Sequence, residues 1–158
     1  MGWIKILAAV AAVLILLLLI VVAGLFFYKG HVSRAGSSPG LVDGRLQACP
    51  STPNCISSEA AENSAHRVEM LTVKPLDDHS QIQRIQAAIV AMGGTILQAD
   101  EQYLAATFTS SVFGFVDDLE VRKAEGENQY YIRSASRVGH SDMNANRNRV
   151  ENIRSRLQ

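Results

Sequence analysis

The side chains with the most chemical reach fall in one stretch, YYIRSASRVGHSDMNANRNRVENIR, Tyr130 to Arg154, and in FVDDLE, Phe115 to Glu120, just before it. Asp117, Ser136, His140 and Asp142 supply a carboxylate, a hydroxyl, an imidazole and a second carboxylate. Those are the parts of a hydrolase-like acid–base or nucleophilic set, provided that the fold brings them together. No G-x-S-x-G, H-E-x-x-H or P-loop accompanies them, so catalysis stands as the alternative function and the chain is not assigned as an enzyme. A different chemistry rests on Arg133 and Arg137, whose planar cations suit an anionic ligand. With Ser136, Ser141, Asp142, Asn146 and the start of a following helix they form a candidate binding set. A third reading is structural. Glu120 and Arg133 then make a cross-strand ion pair, and Asp117 ties Ser136 or the following turn to satisfy buried polar groups.

These residues need two strands and a helix to position them. FGFVDDLEVRKA, 113–124, and QYYIRSASRV, 129–138, read as a hairpin around a turn at 125–128. If the turn pairs Leu119 with Ser134, Glu120 faces Arg133 and Asp117 faces Ser136. Alternation then puts Asp117, Ser134 and Ser136 on a helix-covered face with Phe115, Leu119, Val121 and Ile132. Asp118, Glu120, Tyr131, Arg133 and Arg137 take the other face, a polar surface if nothing covers it. The Asp117-Asp118-x-Glu120 cluster splits between faces and lacks calcium-loop spacing, so it reads as solvated strand charge. Neither a metal nor a cofactor is expected.

Upstream, HRVEMLTV, 66–73, reads as a strand and as the start of regular structure. Asp77-Asp78 lead into the helix HSQIQRIQAAIVAM, whose stripe is Ile82, Ile85, Ile89 and Met92 and whose end is Gly93-Gly94. TILQAD, 95–100, and YLAATFTS, 103–110, are strands. A last helix, capped by Ser141 or Asp142, buries Met143, Val150, Ile153 and Leu157. The order β-α-β-β-β-β-α predicts an α+β domain: a five-stranded antiparallel sheet with two helices on one face, in a TATA-binding-protein-like topology.

Before that domain, Ile6 to Tyr28 is an unbroken apolar run of 23 residues. As a helix it spans ~34 Å, enough for a hydrocarbon core of ~30 Å. A signal peptide is the competing reading, but its apolar core is shorter and ends in small residues, whereas this run ends in Leu25-Phe26-Phe27-Tyr28. The expectation is a retained anchor over 1–29, a Gly-, Ser- and Pro-containing linker over 30–48, and one domain over 49–158 that opens with a cysteine loop. That loop is CPSTPNC, Cys49 to Cys55. Its two prolines favour a compact turn able to close a Cys49–Cys55 disulfide, with two free thiols as the alternative. A disulfide implies an oxidising compartment. The expected placement is therefore a single-pass inner (cytoplasmic) membrane protein with its domain in the periplasm or an equivalent space.

The chain carries 15 Lys+Arg and 15 Asp+Glu. Setting aside Lys5 and Lys29 of the first 29 residues leaves 13 against 15. A near-neutral domain with few aromatics gives no case for nucleic acid as a partner.

CPSTPNCISS at 49–58, FVDDLEVR at 115–122 and IRSASRVGHSDMNANRNRVENIR at 132–154 resemble domain-of-unknown-function family 1499, a likeness covering about residues 45–157. The resemblance implies a membrane-linked or exported small domain, common in bacteria and found also in photosynthetic lineages. It brings no reaction, substrate or cofactor. Where the family pattern often has Gly, this chain has Asn144, which puts an unusual backbone turn there in question. The leading expectation is a non-catalytic binding or scaffold module near the envelope membrane, recognising an anionic small molecule, a lipid headgroup or a protein partner.

Overall fold

The computed structural model describes residues 2–74, 81–126 and 128–158. The expected helix start at 77–80 and part of the turn at 125–128 lie outside them. An unbroken helix, α1 (Gly2–Ala35), opens the chain. It alone among the described residues is long and apolar enough to cross a membrane. Its large apolar side chains from Trp3 to Tyr28 are exposed. Its last turns are not free. Ser33 is buried, its hydroxyl accepts from the N–H of Val116 at 2.9 Å and donates to the Val116 carbonyl at 3.3 Å.

The short hairpin β1 (Leu41–Val42) and β2 (Arg45–Leu46) follows, then β3 (Cys55–Ser57), β4 (Leu71–Thr72), α2 (Gln81–Ala91), β5 (Thr95–Ala99), β6 (Tyr103–Thr109), β7 (Val116–Lys123), β8 (Gln129–Ser136) and α3 (Ala145–Leu157). The main sheet is antiparallel, in the order β3-β8-β7-β6-β5, with β4 also paired to β8. It thus has six strands, which corrects the expected five. The extra strand is β3, in the cysteine loop. It is too short for alternation to reveal it, and it exists because β8 has a free edge: Cys55 pairs Ala135 and Ser57 pairs Arg133. Regular structure therefore begins well before His66, and the strand expected over 66–73 shrinks to Leu71–Thr72.

Both α2 and α3 pack on one face of the sheet. Ile85 and Ile89 of α2, and Val150 and Ile153 of α3, close over Leu119 and Ile132. The stripe on α3 starts at Asn146, not at Met143. Met143 precedes the helix, with φ 53° and 92% exposure. Asn144 follows at φ 66°, so the left-handed turn that the family's Gly suggests is present. Asn is among the few residues that enter it readily.

Candidate functional site

The hairpin register is the one that the turn implied. Asp117 faces Ser136, Leu119 faces Ser134 and Glu120 faces Arg133. Two polar systems result, one on each face of the sheet.

On the face away from the helices, Arg133 donates to Glu120 Oε2 at 3.1 Å. The other oxygen, Oε1, accepts from the Tyr103 hydroxyl at 2.7 Å and the Gly40 N–H at 2.9 Å. Burial raises the Glu120 carboxyl above its ordinary value, against the opposing pull of Tyr103, Arg133 and Gly40. Beside it, Arg137 grips Asp118 with two bonds, Nε to Oδ2 at 2.9 Å and Nη2 to Oδ1 at 2.7 Å. Arg137 Nη1 also donates to the carbonyls of Ser33, at 3.2 Å, and Gly36. It sits where a helix C-terminus favours a cation. Ser38 donates to Asp118 Oδ1 at 2.7 Å. Leu46 packs with Tyr103 and Ala105. The segment expected as a linker thus lies over this face, and the guanidinium groups of Arg133 and Arg137 already have carboxylate partners.

On the helix side, Asn146 is buried and fully engaged. Its Oδ1 accepts from Ser134 at 2.6 Å and from Arg149, while its Nδ2 donates to the Asn54 carbonyl at 3.0 Å and to Ser136 Oγ at 3.2 Å. Arg149 also donates to Asp117 Oδ2 at 2.7 Å and lies over the Phe108 ring. Asn54, in the loop closed by the Cys49–Cys55 disulfide, donates to the Gly139 carbonyl at 2.9 Å. Asp142 accepts from the N–H groups of Asn144, at 3.2 Å, and Asn146, at 2.8 Å. The N-cap of α3 is Asn144, not Ser141 or Asp142 as expected, and Asp142 still holds the Asn146 N–H from three residues before the helix begins.

Above this network a cavity of about 380 Å³ opens between α1 and the β8–α3 joint. Phe26 and Lys29 line it from α1, Phe115 from the β6–β7 connection, Asp117 from the start of β7, and Ser136 and residues 138–142 from the joint. Of the candidate residues, Asp117, Ser136, His140, Ser141 and Asp142 meet here. Arg133, Arg137 and Asn146 do not line it. No hydrogen bond among the described residues links His140 to Ser136, Asp117 or Asp142. The N–H groups of Gly139, His140 and Ser141 make no hydrogen bond among the described residues. Sequence reasoning missed Phe26, Lys29, Phe115 and Gly139 as lining residues. Lys29, a cation directly after the apolar run, was the one available signal.

A family model described as a protein of unknown function (DUF1499) matches residues 45–157, and the chain belongs to that family. No curated protein matches it, and no solved structure does.

Proposed function

We propose that this DUF1499 member is a membrane-anchored, non-catalytic binding domain that holds the phosphate-bearing headgroup of a lipid where α1 meets the β8–α3 joint. One observation carries the reading: the cavity is lined jointly by the end of the apolar helix and by the polar joint. Phe26 and Phe115 offer an apolar wall. Lys29, His140 and the N–H groups of Gly139 to Ser141 offer donors to phosphate oxygens. Asp117 and Asp142 do not oppose this strongly, because Arg149 pairs the first and two backbone N–H groups bind the second. Ser136, Ser141 and Asp142 stay in the binding set, while Arg133, Arg137 and Asn146 hold the scaffold.

Retention of α1 as an anchor is supported by the packing of Phe26 and Phe27, inside the apolar run, against Phe113 of the domain. Cleavage after Tyr28 would remove both rings. The Cys49–Cys55 disulfide supports an oxidising space, hence an inner membrane with the domain on its periplasmic or equivalent side.

The test is native mass spectrometry of the full chain released from its own membrane. A reproducible added lipid mass is expected, lost in a Lys29→Ala/His140→Ala variant whose thermal unfolding is unchanged. Equal lipid retention by wild type and variant overturns the reading.

A second reading keeps Asp117, Ser136, His140 and Asp142 as a hydrolase set, favoured only by their place around one cavity. Substrate would have to bring His140 to Ser136. A turnover abolished by Ser136→Ala with stability retained supports it, and equal turnover by the two proteins ends it.

A further inference from the structure

The β6–β7 connection, residues 110–115, reaches α1 at the level of its last apolar turn. The Phe113 ring lies 5.0 Å from Phe26 and 5.2 Å from Phe27, and Phe115 lies 6.2 Å from Phe26. Phe26 and Phe27 belong to the run that ends at Tyr28, so at about 1.5 Å per residue they sit within ~3 Å of its end. Arg34, two turns further on, donates to the Gly114 carbonyl at 3.2 Å. The loop is therefore fixed along the helix at the depth where hydrocarbon gives way to headgroups.

Polar residues belong at this end of a domain that stands clear in water. Instead Val112, at the loop tip, is 66% exposed. Across the cavity, exposed Met143 follows directly on Ser141 and Asp142 of the lining. Its left-handed backbone is one that long side chains seldom adopt. Val112 thus adjoins, through Phe113, the exit of an apolar helix, and Met143 adjoins the lining of the cavity beside it.

We infer that Val112 and Phe113 of the β6–β7 loop, together with Met143 of the β8–α3 joint, seat in the headgroup–acyl boundary of the bilayer beside α1. The partner is the lipid surface itself, because the patch is continuous, through Phe113, with the helix that enters it. Lys29, His31 and Arg34 lie along the same helix turns, where anionic headgroups favour cations. The domain is then held in one orientation on the membrane, with its cavity opening at headgroup level. This inference needs α1 to span a bilayer and does not need the headgroup site.

Its test uses the full chain in vesicles of phosphatidylcholine and phosphatidylglycerol. Trp3 is the sole tryptophan, so Trp3→Phe gives a silent background. Val112→Trp and Met143→Trp are then read separately with lipids brominated on the upper acyl carbons. Glu101→Trp is the aqueous reference, on the β5–β6 turn at the far end of β6. Emission at 112 and at 143 is expected to be blue-shifted and quenched roughly two-fold, with 101 unquenched. Without any substitution at the patch, the labelled methyl group of Met143 should broaden with gadolinium-bearing lipid, while that of half-buried Met70 should not. Water-like, unquenched emission at either 112 or 143 overturns the inference. Lipid retention in the cavity, read by mass after Lys29→Ala/His140→Ala, can succeed or fail independently of that outcome.

Discussion

Arg133 holds Glu120 through a 3.1 Å ion pair in which the two side chains are 7% and 0% exposed. The pair lies between β7 and β8, under the strap that carries Gly40. Arg133 Nε is buried without a partner among the described residues, so the guanidinium depends on Glu120. Removing one member of such a pair leaves a buried charge uncompensated, at a cost of about 3–5 kcal/mol. Arg133→Met should lower stability by that order in denaturant unfolding. Arg133→Met/Glu120→Gln should recover most of the loss, because the neutral amide keeps an acceptor for Tyr103 and Gly40. A single variant within about 0.5 kcal/mol of wild type, the usual range for a surface site, would show that the pair is not buried in solution.

The pH dependence has a definite sign. Burial raises the Glu120 carboxyl above its ordinary 4.5. A raised acid holds its proton in the folded chain after the unfolded chain has released it. Its stabilising contribution is therefore complete below about 4.5 and is lost as pH rises through the folded value. The Tm of wild type relative to Glu120→Gln should fall as pH rises from 4 through that window, then level off. A difference that rises instead would mean that Arg133 and Tyr103 outweigh burial.

Gly30 is a contact residue, not a flexible joint. A Cβ there would lie 1.8 Å from the Phe113 carbonyl oxygen, and backbone cannot yield as a side-chain tip can. Gly30→Ala should separate α1 from the 110–115 loop at a cost of about 1–3 kcal/mol, the range for overpacking. Hydrogen exchange should accelerate at Val116, whose N–H is held by Ser33, and remain slow at Ile132 in the sheet centre.

Reducing the Cys49–Cys55 bond should cost about 2 kcal/mol for so short a loop. It should also be felt at a distance. Asn54 holds the Gly139 carbonyl, and its own carbonyl accepts from Ser136 and Asn146. Faster exchange of the Ser136 backbone N–H and of the Asn146 side-chain amide after reduction is expected, with the β6–β7 ladder unchanged. Protection that stays the same at both positions would show that the loop holds its place without the bond.

What the sequence determined by itself were the features with local periods. The apolar run gave the helix, alternation placed Asp117 and Glu120 on opposite faces, and the short turn set Glu120 opposite Arg133. The stripe of Ile82, Ile85 and Ile89 marked α2. For α3 the stripe was legible from Val150 onward but misplaced at its start, because the left-handed pair Met143–Asn144 delays the helix to Ala145.

Only the tertiary structure decided what covers each face. Strand β3 and the strap over Ser38, Gly40 and Leu46 have no period of their own. They hold their places through partners some 80 residues away, such as Asp118, Glu120 and Ala135. Two arginines that read as ligand-binding cations from their types became internal pairs because that strap closes over them. The cavity at the end of α1 likewise joins Lys29 to His140 across more than 100 residues. Such a juxtaposition is set by how the sheet docks on the helix, a non-local packing choice that no window of sequence contains.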